Sequence, residues 1–329
     1  MRSLATWLRR WGISIASLVG GLLTLFVFRR GLPHVGWIVG YLLLLWLLVA
    51  VLVQVRGTLE ASDKRRHRLV LTATEYTIQT LYHGLLLFLL PAYWGATTLT
   101  SVNAGFLALL VLLALLATFD PWYRALVRPW PWFGYVFFVV STFGALNLAL
   151  PLVGVPPVVA LLAAAGLAVV ALTPAVRRAR GWRWSTALAG TTLAGLTVGA
   201  FAGYWCAAIP PAPLFLARAE LGWAVATLES LEPAAGAIPA PQLHQRGLVA
   251  YTAVYAPAGL RQRVEHLWRH EGRVVDVVRL APVEGGRREG FRTVSRKSAF
   301  PADAVGRWSV DVATASGQLI GRLPFRVVP

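Results

Sequence analysis

HLWRHEGRVVDVVRLAPVEGGRREGFRTVSRK, residues 266–297, carries the reading that decides the fold. Val264, His266 and Trp268 alternate with Glu265, Leu267 and Arg269, a period of two that suits a β-strand. Glu271-Gly272 is a turn signal, and Arg273 to Val278 follows as a β-branched run, so the two segments predict a hairpin. Glu284-Gly285-Gly286 marks a second turn, with a further strand from Gly290 to Lys297. Beyond the stretch, Trp308, Val310 and Val312 share one face of Gly306–Val312. Leu319, Leu323, Phe325 and Val327 share another after the Ser316-Gly317 turn. With Leu248 to Tyr255 in front, the pattern gives about six or seven short strands at regular spacing, the signature of a β-sandwich.

The runs H-L-W-R-H-E-G-R-V-V-D, F-R-T-V-S-R-K, G-R-W-S-V-D-V and G-Q-L-I-G-R-L-P-F-R-V resemble a bacterial domain known only as domain of unknown function 2914. The resemblance covers about the last quarter of the chain. A helical membrane region ahead of such a domain resembles a second uncharacterised family, number 5924 in the same series. Neither resemblance implies an activity or a set of catalytic residues. Two departures stand out: Val294 occupies a position where the family has an aromatic, and Arg287 to Gly290 form an insertion rich in charge and glycine.

Upstream, the chain reads as membrane. It is 57% hydrophobic and 14% charged, with a formal net charge of +17, values foreign to soluble domains. The excess is uneven. Residues 1–212 carry 16 Lys+Arg against 4 Asp+Glu, and residues 213–329 carry 15 against 10. Most of the imbalance therefore lies in membrane loops, where basic residues set topology, and nucleic-acid binding is not expected. Seven spans of ~20 residues fit the apolar runs: 12–28, 35–55, 69–90, 102–119, 133–150, 155–172 and 186–209. Alternate sides of the membrane then hold 14 basic residues against 2. The expected topology places the N-terminus in the bacterial cytoplasm and residues 248–329 in the periplasm, anchored in the inner membrane. Arg29-Arg30 stands where a cleavage site would need small residues, so the first span reads as an uncleaved anchor. The whole is an α-helical polytopic membrane bundle (residues 1–212) followed by an all-β, immunoglobulin-like sandwich (residues 248–329). Between them, Leu214, Ala217, Leu221, Ala224, Val225 and Leu228 recur at helical spacing. Residues 213–247 are accordingly expected to form a juxtamembrane helix and a Pro/Ala-rich linker.

Several constellations carry possible chemistry. Glu75, Gln79 and His83 fall four apart in the third span and share a helix face. A charge at mid-membrane costs about 2.5–3.5 kcal/mol on insertion scales, so this face should point into the bundle. It serves either as a proton relay or headgroup pocket, or as interhelical hydrogen bonding, for which Asn147 offers a partner. Gly195, Gly199 and Gly203 repeat the GxxxG spacing that lets helices approach closely, within the bundle or in a dimer. Trp122, Tyr123, Trp130 and Trp132 suit an interfacial belt. The single cysteine, Cys206, cannot form an intramolecular disulfide and lacks the basic partners that a membrane transpeptidase nucleophile needs. In the β-domain, His266 and His270 would lie ~13 Å apart on a strand, too far for one metal ion. Ser295, His266 and Asp276 have the residue types of a triad and nothing more. No catalytic residue, metal or cofactor is expected.

What remains is a polar set, His266, Trp268, Arg292, Ser295, Arg296 and Lys297. It is either a site for an anionic ligand or a structural mixture of core and solvated strand end. Alternation places Arg292 and Ser295 on opposite faces unless a bulge intervenes. Two functions follow. In the first, the β-domain binds an envelope component: an anionic glycan, a lipid headgroup or a protein partner. In the second, a membrane-embedded transporter or enzyme works through the polar face of the third span.

Overall fold

Every strand expected between Leu248 and Val328 forms in the computed structural model, which describes residues 35–60, 65–127, 129–227, 230–234 and 237–329. In chain order they are β1 (Phe215–Thr227), β2 (Ser230–Pro233), β3 (Ala237–Pro239), β4 (Leu248–Tyr255), β5 (Arg261–Gln262), β6 (Val264–His270), β7 (Arg273–Arg279), β8 (Val283–Glu284), β9 (Phe291–Lys297), β10 (Gly306–Thr314) and β11 (Leu319–Val328). One sheet has the order β2-β1-β4-β9 and is antiparallel throughout. The other runs β3-β11-β10-β6-β7, with β3 parallel to β11; β5 and β8 form a small separate ribbon. Leu248, Ala250 and Val254 of the first sheet share one core with Trp268, Trp308, Val310, Val312 and Phe325 of the second. The β6–β7 turn has positive φ at both Glu271 (45°) and Gly272 (81°). That is the two-residue hairpin turn whose twist matches its strands.

Residues 213–247 depart from the sequence reading. In place of a juxtamembrane helix and a linker, they supply β1, β2, β3 and a short helix, Ala240–Arg246. The helical spacing of Leu214 to Leu228 is overridden by pairing: β1 bonds to β4 along seven residue pairs, with a bulge between Leu216 and Arg218. The partner strand supplies the cross-strand packing that an alanine-rich segment lacks alone. A fragment starting near residue 246 would therefore lack three strands.

The helices group with these strands into two compact units. The helical unit takes the described residues up to Pro91 with Leu107–Ala149 and Val159–Tyr204. Four apolar stretches among the described residues are long enough to cross a membrane: Ile38–Val55, Trp132–Leu152, Pro157–Arg180 and Trp184–Tyr204. A fifth is possible if Ala104–Thr118 and Asp120–Val127, which meet at 103°, count as one broken span. Pro121 contributes to the break, since it lacks the N–H that would bond the Ala117 carbonyl and carry the first helix on. The Arg65–Gly95 helix is long enough, at 31 residues, but its polar residues keep it outside that set. The expected span at residues 12–28 lies outside the described residues. The Gly195 row packs inside this unit. A Cβ on Gly195 would lie 2.8 Å from the Gly166 carbonyl oxygen, and one on Gly199 would lie 3.2 Å from that of Leu162. One on Gly203 would meet Leu162 Cδ2 at 2.8 Å.

The second unit takes the β-strands and two segments from among the helices, Ala92–Phe106 and Leu150–Val158. Asn103 is fully buried there. Its Nδ2 donates to the Leu319 carbonyl (3.3 Å), and its Oδ1 accepts from the Thr98 backbone N–H (3.2 Å). Gln318 donates to the Ile209 carbonyl at 3.3 Å.

Candidate functional site: an outer arginine face

Strand β9 sorts the polar set expected from sequence. Thr293, Ser295 and Lys297 turn inward; Arg292, Val294 and Arg296 turn outward. The set therefore does not converge. His266 and Trp268 are fully buried, and His266 bridges the two sheets. Its Nδ1 lies 2.7 Å from Ser295 Oγ and its Nε2 lies 2.9 Å from Thr252 Oγ1, which in turn sits 2.7 Å from Thr293 Oγ1. Burial holds the imidazole neutral, with its pKa pushed down to about 4, because a charge there would be poorly solvated. The ring's second nitrogen faces a threonine, and Asp276 pairs with Lys297 Nζ at 2.9 Å, so a Ser295–His266–Asp276 triad does not form. Lys297 also lies over the Phe300 ring, 5.6 Å from its centroid. These inner groups spend their polar atoms on bonds between strands of the two sheets and do not form one surface with Arg292 and Arg296.

The outer face of the same sheet has another character. Strand register places Arg218, Ala253 and Arg292 in one row. Glu220, Tyr251 and Val294 form the next, and Gly222, Val249 and Arg296 the third. Two strand spacings separate Arg218 from Arg292, about 10 Å between backbones. The β8–β9 insertion adds Arg287 and Arg288 beside them. Together Arg287, Arg288, Glu289, Gly290 and Arg292 line a cavity of about 520 Å³. Arg287 stacks 4.9 Å from the Phe291 ring centroid, and Arg292 bonds Glu289 at 3.2 Å. Among the described residues Arg288 has no side-chain partner. Gly290 makes the approach possible. Its φ is +84°, and a Cβ would lie 2.9 Å from the Ala253 carbonyl carbon, so only glycine lets the insertion fold onto β4. Arg218 and Arg292 thus hold two carboxylates, Glu220 and Glu289, in exposed ion pairs that are weak and open to exchange. Guanidinium forks of this kind suit phosphate and carboxylate.

A second charged cluster escaped the sequence reading. Asp311, on the outer face of the other sheet, has a side chain only 3% exposed. It accepts from Arg322 Nε (2.6 Å) and Nη2 (2.8 Å) and from Arg269 Nε (2.8 Å). Its signal lies in register alone: Arg322 pairs directly with Asp311, and Arg269 pairs with Ser309, two residues along β10. Among the described residues no group of three or more His, Cys, Asp or Glu comes together as a metal site. His270 stacks on Trp308, 4.5 Å between ring centroids.

In the helical unit, the polar face of the Arg65–Gly95 helix meets the bent pair Ala104–Thr118 and Asp120–Val127. Gln79 Nε2 donates to the Ala117 carbonyl at 3.0 Å, and His83 Nδ1 lies 2.8 Å from Thr118 Oγ1. Both side chains are buried; Glu75, one turn earlier, is half-buried. A helix end leaves carbonyls without intrahelical partners, and apolar surroundings make that costly. Gln79 satisfies one of them where the pair bends. Cys206 Sγ donates to the Ser316 carbonyl at 3.1 Å.

The chain belongs to the Family of unknown function (DUF5924), whose model matches residues 1–250. Residues 261–327 are similar to the Protein of unknown function (DUF2914) model. No curated protein and no solved structure matches the chain.

Proposed function

We propose that this is a seven-span inner-membrane protein that presents an immunoglobulin-like β-domain to the periplasm, where its arginine face binds an anionic envelope component. The observation that carries the binding reading is the cavity lined by Arg287, Arg288 and Arg292, where the β8–β9 insertion meets the start of edge strand β9. Topology draws support from the distribution of basic residues. The loops that join the β-domain's compact unit, 92–106 and 150–158, contain no Lys or Arg, whereas residues 177–183 of the helical unit hold four. Basic loops stay cytoplasmic, so the charge-free loops and the β-domain belong on the far side. The immunoglobulin-like reading draws on strand order: β1-β4-β9 in one sheet and β7-β6-β10-β11 in the other follow the A-B-E and C′-C-F-G orders, with buried Trp268 on the C strand.

Binding is tested on the full-length chain in an uncharged detergent, titrated with a soluble polyuronate and with phosphatidylglycerol micelles. Binding to one of them should weaken as salt rises and fall sharply in Arg288→Ala/Arg292→Ala. No binding to either, or binding that the double substitution leaves intact, rejects the arginine face. A reporter active only outside the cytoplasm, fused after Pro329, should be active; fused after Lys64 it should be silent.

A further inference from the structure

The rows next to the arginines say which anion is bound. On the outer face of the β2-β1-β4-β9 sheet, Phe215 pairs with Tyr255, one outward row from Arg218, Ala253 and Arg292. Two residues along a strand span about 7 Å. Phe215 and Tyr255 stack with centroids 4.7 Å apart. Against that stack lies Gly95, the last residue of the Arg65–Gly95 helix; a Cβ there would sit 3.6 Å from the Phe215 ring. The same unit exposes a set of apolar residues in its two segments from among the helices. Trp94 is 63% exposed, Leu99 65%, Val102 69% and Val153 62%. Exposed apolar residues of this kind suit the membrane–water boundary, where tryptophan is enriched. Trp94, the Phe215–Tyr255 stack and the row of Arg218 and Arg292 therefore run from apolar to aromatic to cationic, with about 7 Å between the stack and the arginine row. A phospholipid presents the same series in the same order: acyl chain, glycerol region, phosphate.

We infer that the arginine face binds the phosphate of a phospholipid headgroup in the leaflet on the β-domain's side, with Trp94 set among the lipid at its foot. This rests on the binding function proposed above and narrows it to one source of anion. Arg218 and Arg292 leave their exposed carboxylate partners, Glu220 and Glu289, for the phosphate oxygens, and Arg288 supplies a third guanidinium. No bond is made or broken; the site holds a lipid.

The full-length chain in an uncharged detergent is incubated with equal amounts of phosphatidylglycerol and phosphatidylcholine of the same acyl chains, and the retained lipid is counted by native mass spectrometry. The expected result is a preference for phosphatidylglycerol of about tenfold, the factor that 1.4 kcal/mol supplies. The preference should disappear in Arg288→Ala/Arg292→Ala and return in part in Arg288→Lys/Arg292→Lys. Trp94→Ala should lower retention of both lipids. An equal count for the two lipids, or a preference untouched by the double substitution, overturns the inference. If the polyuronate binds through Arg288 and Arg292 while the lipids are not distinguished, the broader function stands and the lipid assignment falls. If neither binds, both fall. An unchanged thermal midpoint in the variants shows that they remain folded.

Discussion

The two outer faces of the β-domain carry the same chemical groups and use them differently. On the β3-β11-β10-β6-β7 sheet, Arg269 and Arg322 close on Asp311, and the segment 92–106 reaches the same strands through Arg322 Nη1 to the Thr100 carbonyl (3.5 Å) and through Asn103. On the β2-β1-β4-β9 sheet, Arg218 and Arg292 lean on carboxylates that are themselves in water. A buried carboxylate needs its cations to remain; an exposed one releases them at little cost. Arginine content therefore says little about function until the neighbouring acid is known to be covered or open.

Removing the covered acid should produce the largest effect. Asp311→Ala leaves two guanidinia facing each other without their shared carboxylate. We expect a loss of about 3 kcal/mol, the lower end for a broken buried pair because both arginines reach solvent. Urea unfolding of the full-length chain, followed by tryptophan fluorescence, measures it; a change within error would place Asp311 with the open face instead. The layer between the sheets gives the next effect. Unfolded histidine titrates near 6.5 and His266 at about 4. The unfolded chain takes the proton first, so this contribution is complete above pH 6.5 and is lost as pH falls toward 4, by about 3 kcal/mol. His266→Asn should flatten that slope in a pH series of unfolding midpoints. In the helical unit, Gly195→Ala drives a methyl toward the Gly166 carbonyl oxygen and should cost about 1–3 kcal/mol by overpacking, read as a lower thermal midpoint in detergent. Last, Arg292→Ala on the open face should change stability by less than about 0.5 kcal/mol. A loss as large as that of Asp311→Ala would erase the contrast between the faces.

Much of this was legible. Alternation gave β6, β9, β10 and β11, whose side chains record one buried and one wetter face, whereas β7 showed as a β-branched run and β4, buried on both faces, as an apolar one. The same alternation separated Arg292 from Ser295, and β9 has no bulge to reunite them. Strand β1 was hidden: its alanines fit a helix as well as a strand, and only β4, more than twenty residues away, decides between them. Asp311 was hidden for a related reason. Its partners Arg269 and Arg322 come from two other strands, and contact between them depends on a register that no local pattern encodes. In the helical unit, the polarity of Gln79 and His83 was visible, but their partners, Ala117 and Thr118, lie at a break in another helix. The length of that break, at Phe119 between Thr118 and Asp120, gives no hydropathy signal.

The strand order has a bearing on how such chains are inherited. The two family matches meet between residues 250 and 261, and that interval includes most of β4, an interior strand of the four-stranded sheet. The segment 261–327 keeps only β9 from that sheet, while β1, β2 and β3 fall in the preceding match. A recombination event at this junction would exchange half of a domain and strand the other half without partners. An exchange at Trp205 to Pro213, ahead of β1, would carry every strand together but leave behind Asn103 and the loop that grips β11. Neither junction yields a cassette that moves freely, so changes on the two sides of residue 250 are expected to be selected as one heritable piece.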